Sequence, residues 1–128
     1  MIADFPHTAV ELLIRTLKDV LADTDPQGPL HHFISHRNRA GLGFYMAFSS
    51  GLVPLLFGEL KVGFEQFIQH GQWQVIHQTA TAIHQKAATY AREVMQIYAA
   101  GCQKHDLPWA QTTIEETLYE RGVPKRNA

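Results

Sequence analysis

Apolar residues recur at helical spacing along the chain, and no stretch alternates with a period of two for long. The first such segment opens with Thr8-x-x-Glu11, the pattern of a capping box, and ends in a turn over residues 24–29. A second helix is expected to begin at Pro29. It runs to about Gly51 as one helix or as two pieces, because the intervening glycines weaken a helix.

A third helix is expected to begin near Pro54 and to end at Gly71, and a last one follows Pro108 and ends at Gly122. Between them, the most regular segment predicts a helix over about residues 72–100. Its apolar positions follow the heptad pattern of a helix that packs along another helix. These positions are Trp73, Ile76, Ala80, Ile83, Ala87, Tyr90, Val94 and Ile97.

Together these patterns predict an all-α fold, a bundle of four to five helices built around the long helix at about 72–100. A chain of 128 residues fits a single helical domain, residues 1–128. The apolar fraction of 45% is enough for a core without disulfides. The small residues Ala80 and Ala87 would let a partner helix approach the long helix closely.

Composition narrows the functional classes. Only 18% of the residues are charged and the net charge is −1, which argues against the basic surface typical of nucleic-acid-binding domains. The single cysteine, Cys102, excludes an internal disulfide and a cysteine-based zinc site. The first residues lack the basic and apolar regions of a signal peptide, so a cytoplasmic location is expected.

An uncharged run, residues 40–58, lies between Arg39 and Glu59. Its glycines and Pro54 argue against a membrane span, and we expect a buried core segment. Two alternatives are a membrane-associated element and an apolar ligand pocket, since glycine lets a ligand approach the backbone.

Part of this run resembles a known segment. Ala40-Gly41-Leu42-Gly43, with Ala47-Phe48 and Gly51 after it, is similar to a segment in small helical subunits of type III CRISPR effector complexes. The likeness ends at residue 51 and does not extend to an aromatic C-terminal pattern, so it assigns no family.

Histidine is over-represented, with eight residues in the chain. His32 and His36 would share a helix face and could hold one metal ion. His77 and His84 stand one heptad apart, roughly 10 Å along a helix, so a metal or haem site would need ligands from another helix. Alternatively, the histidines flank a helix seam, where they bond to neighbours, or form a pH-sensitive interface.

Arg37 and Arg39 form a partly cationic patch that could contact phosphates, because a guanidinium group binds phosphate oxygens in pairs. The alternative is a solvated helix end. Cys102 and His105 have the spacing of a nucleophile and its base, but no oxyanion-hole motif accompanies them. We therefore predict no catalytic residue and no enzyme.

The sequence favours a non-enzymatic helical interaction or assembly module that self-associates, as a homodimer, through the eight heptad positions. Leu60, Phe64 and Phe67 would compete for that seam within the chain, so the seam is filled either by the chain itself or by a second copy. The first alternative is a small nucleic-acid-associated subunit, for example of an RNA-guided complex. The second is a histidine-liganded metal or haem protein. The leading hypothesis needs no cofactor and no membrane.

Overall fold

The computed structural model describes residues 1–47 and 49–123. All regular structure in this part of the chain is helical, which confirms the predicted all-α class. A 3₁₀ turn at Ile2–Asp4 comes first. The α-helices follow as α1 (Ala9–Thr24), α2 (Pro29–Ser35), α3 (Arg39–Ala47), α4 (Val53–Leu56), α5 (Gly58–His70), α6 (Trp73–Gln103) and α7 (Leu107–Glu120). Phe48 and the tail from Pro124 lie outside the described residues.

Helix α1 begins as the sequence predicts. The Thr8 hydroxyl accepts a hydrogen bond from the backbone N–H of Glu11 at 3.3 Å. The Glu11 carboxylate reaches back to the N–H of His7, at 2.8 Å, where an ordinary capping box would use the N–H of Thr8 itself. Both side chains therefore satisfy amide groups that have no partner inside the helix.

The second predicted helix is two helices, and the break lies at residues 36–38, between α2 and α3. The glycines lie beyond it, inside α3. A Cβ on Gly41 would lie 2.5 Å from the nearest ring carbon of Phe33, so this glycine lets α3 pack tightly on the preceding helix. Gly41 thus allows close helix packing, whereas the sequence indicates it only as a residue that weakens a helix.

The third predicted helix is also divided. Pro54 lies in the single turn of α4, and α5 starts at Gly58 after a bend at Phe57. The Lys86 ammonium holds this bend, because it donates to the carbonyl oxygen of Leu56 at 2.7 Å. Helix α5 ends at Gly71, whose left-handed φ of 67° agrees with the predicted end.

Helix α6 is the longest element, and its most extensive contacts are with α1, α5 and α7. Two of these contacts are very close. A Cβ on Gly63 of α5 would lie 2.2 Å from the Thr79 hydroxyl oxygen, and one on Gly101 would lie 2.6 Å from the Cβ of Ala110 in α7. The absence of a side chain at each glycine thus sets how near α5 and α7 come to α6.

Helix α7 is fixed at both ends. The Asp106 carboxylate caps its start by accepting from the N–H of Trp109 at 3.0 Å. Near its other end, Arg121 pairs with Glu93 of α6 and lies 4.0 Å from the ring centre of Tyr90. Gly122, with a φ of 92°, ends the helix as predicted.

The uncharged run does not form a plain core segment, which corrects the expectation from sequence. Among its described residues, the buried ones are Leu42, Leu52, Leu56 and Phe57. The rest are partly or fully exposed, because α3 packs chiefly on α2 and α4 chiefly on α5, at the edge of the molecule. No helix among residues 1–47 and 49–123 combines the length and apolarity needed to cross a bilayer.

Replacing Gly63 with alanine tests the close approach of α5 to α6. The added methyl group would overlap Thr79, and we expect the free energy of unfolding to fall by about 1–3 kcal/mol. Urea unfolding measures it. Gly58→Ala is the matched control: no heavy atom lies within 4 Å of its Cβ position, so stability should stay constant or rise by up to about 1 kcal/mol. Equal effects at the two positions would contradict this account of the helix contact.

Candidate functional site

The predicted interface residues of the long helix lie mostly inside the chain's own core. Trp73 and Ile97 are half-buried. The other six are buried within the single chain, and they are Ile76, Ala80, Ile83, Ala87, Tyr90 and Val94. The seam is therefore filled by helices of the same chain, which is one of the two alternatives that the sequence left open.

A polar concave surface lies between α2 and the start of α6. We call it the histidine cleft, and it has a volume of about 570 Å³. His31, His32 and Arg37 line it from the side of α2, and Trp73 and His77 line it from α6. No acidic side chain lines the cleft among the residues that the structure describes. The permanent positive charge of Arg37 therefore has no carboxylate beside it in the described lining of the cleft.

The end of α2 positions Arg37. The N–H of Asn38 donates to the carbonyl oxygen of Phe33 at 2.8 Å, and the N–H of Arg37 donates to that of Ile34 at 3.1 Å. This pair of bonds is a Schellman motif, in which the residue in the Arg37 position takes a left-handed conformation and is usually glycine. Arg37 has that conformation, with a φ of 54°.

Trp73 is the platform on which both predicted arginines meet. The guanidinium carbon of Arg37 lies 5.1 Å from the Trp73 ring centre, and that of Arg39 lies 6.0 Å from it. Arg39 also lies 5.2 Å from the ring of Phe67, which packs on Trp73 with centroids 4.6 Å apart. Neither arginine forms an ion pair with a carboxylate in the described part of the chain.

His31 faces the opposite wall of the cleft. Its ring centroid lies 5.1 Å from that of His77. Partial burial lowers the pKa of His31 below its ordinary value, and the neighbouring imidazoles of His77 and His84 lower it further. Asp25 opposes this shift from the turn before α2. His31 therefore gains its proton less readily than a histidine in water.

The four predicted metal ligands do not come together in one ligand set. His32 and His36 have ring centroids 4.1 Å apart, and the Nδ1 of His36 donates to the carbonyl oxygen of His32. His84 bonds through Nδ1 to the Thr24 hydroxyl at 3.0 Å. Because that hydroxyl already donates to a carbonyl, the proton of this bond belongs to His84.

Within residues 1–47 and 49–123, no group of three or more histidine, cysteine or acidic side chains is arranged to hold a metal ion. The pair Cys102 and His105 lies at the exposed end of α6. Asp106 beside them caps α7 through its Oδ1 atom.

The sequence identifies Arg37 and Arg39 as a partly cationic patch, with His31 just before it, but indicates Trp73 only as a seam residue. The periodic pattern places Trp73 on the apolar face of α6, which is where it lies. Two arginines also contact Trp73, because α2 docks against α6. No local pattern in the sequence indicates this docking.

A second concave surface is apolar. We call it the apolar groove; it lies between α3–α4 and α5 and has a volume of about 530 Å³. Phe57 and Leu60 form its buried floor, and the exposed Lys61 and Glu65 stand at its rim. Its apolar walls are contributed by Met46, Ala47, Val53, Pro54, Phe64 and Ile68.

Comparison with known proteins yields one match. A protein-family model described as the C-terminal domain of a family of unknown function (DUF6866) matches residues 1–117. No curated protein and no solved structure matches the chain.

Substituting glycine for Arg37 and, separately, for His105 tests the backbone strain at these two helix ends. His105 occupies the same position of a second Schellman motif, with a φ of 53°, so both residues have a conformation that favours glycine. We expect His105→Gly to raise the free energy of unfolding by about 1 kcal/mol. Arg37→Gly should raise it by less, because it also loses the contact with Trp73. A loss of stability at His105, measured by thermal unfolding, would contradict this reading.

The lowered pKa of His31 predicts how stability depends on pH. The unfolded chain takes up the His31 proton at a higher pH than the folded one, so the free energy of unfolding falls as the pH drops through the ordinary value of 6.5. Urea titrations at about pH 7.5 and 5.5 measure this fall. His31→Gln should reduce it, whereas His70→Gln, at an exposed position of α5, serves as the control. An unchanged fall in His31→Gln would show that other groups cause it.

Proposed function

The chain belongs to the DUF6866 C-terminal domain family, whose function is unknown, and we propose that it acts as a non-enzymatic helical interaction module that self-associates. The observation that carries this proposal is the apolar groove beside the uncharged run. A groove lined by neighbouring apolar side chains can receive the apolar face of a helix, whereas scattered exposed apolar residues are ordinary.

The proposed contact surface is the apolar groove, and the heptad seam has a different role. Six of the eight seam residues are already buried, so a second copy would have to displace the chain's own helices to reach them. In our proposal α6 is the central helix of a bundle and its seam holds α1, α5 and α7. Self-association then uses the surface that this bundle leaves open.

Burial along α5 supports a helical occupant for the groove. Phe57, Leu60, Phe64 and Ile68 recur at helical spacing, so they form one stripe along the axis of α5. Ile68 is 60% exposed and Phe64 is half-buried, so the stripe stays accessible. A helix laid along such a stripe buries its own apolar face in return.

The charges at the rim favour a second copy as that occupant. Lys61 and Glu65 are one turn apart on α5, and neither forms an ion pair within residues 1–47 and 49–123. If the exposed sides of two copies of α5 pack antiparallel, with the two-fold axis level with residue 63 along the helix, Lys61 of each copy faces Glu65 of the other. A two-fold interface repeats each contact, so both ends gain a complementary pair.

Charge reversal at the rim tests this arrangement. Lys61→Glu should weaken dimerisation by about tenfold or more, because it places carboxylates opposite one another at both ends of the interface. The double variant Lys61→Glu/Glu65→Lys should restore it, since the pairs re-form with their signs exchanged. Sedimentation analysis over a concentration series measures the dissociation constant. A wild-type protein that stays monomeric, or a double variant no tighter than the single one, would contradict a two-fold contact at this helix.

Ile68 and Val62 give a matched pair of apolar changes on the same helix. Both are more than half exposed, at 60% and 55%, but only Ile68 lines the apolar groove. Ile68→Gln should weaken dimerisation by about five- to thirtyfold, the effect of losing about 1–2 kcal/mol of apolar burial. Val62→Gln should leave the dissociation constant unchanged. Equal effects of the two changes would remove the groove from the interface.

A further inference from the structure

The histidine cleft is unusual in the balance of its charged groups. Arg37 and three imidazoles, those of His31, His32 and His77, line it, and none of its described lining residues is acidic. Surface cations of a folded protein commonly have carboxylates nearby; here Asp25 acts on His31 from the turn before α2 but does not itself line the cleft. The positive charge of such a cleft can attract an anion from solution.

The backbone at Arg37 shows that the arginine side chain is held in place at a cost. A left-handed conformation is unfavourable for a residue with a Cβ, and two other helices of this chain end at glycines in that conformation, Gly71 and Gly122. Non-glycine residues in such conformations concentrate at functional sites. At this helix end the chain has an arginine, whose guanidinium lies on the face of Trp73 and lines the cleft.

The start of α6 adds further donors. Trp73 and Gln74, the first residues of this helix, line the cleft, and Gln72 before them provides no side-chain cap. The backbone N–H groups of the first turn therefore have no side-chain acceptor at the N-cap. The positive end of the α6 dipole also favours an anion there.

We propose that the histidine cleft binds a phosphate group, with Arg37 as its principal contact, His31 adding positive charge when it becomes protonated, and His77 beside His31 on the opposite wall. A phosphate offers the planar guanidinium two oxygens at once, a geometry in which arginine binds most strongly. The group can belong to a small phosphorylated metabolite, such as a nucleotide, or to the backbone of a single-stranded RNA. The chemistry of recognition is the same in both cases.

The site should bind more tightly in mild acid. The groups that face His31 are His77 and His84 from α6, Asp25 from the turn before α2, and His32 beside it. Protonation of His31 adds a positive charge beside the bound phosphate, and the phosphate in turn favours the protonated form of His31. Sulfate is the probe for this effect, because its charge stays constant over the range in which histidine titrates.

The decisive comparison uses two glycine substitutions in the intact chain. Calorimetry with inorganic pyrophosphate at about pH 7 should show that Arg37→Gly weakens binding about tenfold, the loss expected for one charge-assisted contact. His105→Gly relieves the same backbone strain at a remote helix end and should bind as the wild type does. Because neither change is expected to unfold the chain, a loss confined to Arg37→Gly reports on the cleft. Equal binding by all three proteins would overturn the proposal.

Two further measurements locate the site and its ligand. Pyrophosphate should shift the NMR resonances of the Trp73 indole and the His31 ring, and shifts confined to other residues would overturn the assignment. Sulfate should bind at least about threefold more tightly at pH 6 than at pH 7.5, and a pH-independent affinity would exclude the histidines as contacts.

A single-stranded RNA of about twelve nucleotides separates the two sources of the phosphate. If the ligand is RNA, this probe binds more tightly than pyrophosphate, with a steeper salt dependence, and Arg37→Gly weakens it too. If the ligand is a small molecule, RNA binds no better than pyrophosphate. Lys61→Glu should leave both affinities unchanged, so failure of the dimer proposal and failure of this one are distinguishable.

Discussion

The distance between α6 and its neighbours is the constraint on which the rest of the structure depends. Ala80 and Ala87 on this helix are fully buried, so the helices around it come near to its backbone. On α5 the contact narrows further at Gly63, where even a methyl group would overlap Thr79. Close packing of this kind gains dispersion energy over many atom pairs, and a single extra carbon disturbs it.

The packing of α5 on α6 affects both concave surfaces, although α5 lines only the apolar groove. The close contact with α6 orients α5 so that Phe67 packs against Trp73, at the base of the histidine cleft. Phe64 and Ile68 line the apolar groove instead. The uncharged run then lies over the edge of α5, where α4 packs on it, and contributes apolar side chains to the groove without becoming part of the core.

The two surfaces differ in how the chain maintains them. The apolar groove remains partly exposed to water, which is unfavourable in an isolated chain and is relieved when a second helix covers it. The histidine cleft maintains an arginine in a conformation suited to glycine and keeps imidazoles near one another. In both places a local cost remains in the folded chain, and in both a bound partner of the right chemistry would offset it. His105 has the same backbone conformation but lines neither the histidine cleft nor the apolar groove, so it serves as the control.

Local patterns were sufficient for the all-α class and for several helix ends, but not for the division of the second and third predicted helices. The capping residues at Thr8, the glycines at positions 71 and 122, and the period of the apolar residues act within a few residues of one another, so the sequence alone determined the all-α class and the long helix. It also identified Arg37 and Arg39 as candidate contacts, because a pair of arginines at a helix end is visible in the sequence itself.

Other features depended on contacts between residues far apart in the chain. Gly41 and Gly63 are recognisable only as weak helix formers in the sequence, and the side chains that they accommodate, Phe33 and Thr79, are known only once the helices are packed. The docking of the helices likewise decides three other features. It leaves the uncharged run partly exposed, fills the heptad seam, and brings His31 close to His77. Apolar periodicity indicates which face of a helix is buried, but it does not indicate which element covers that face. Only the tertiary structure could therefore decide where the open surfaces lie.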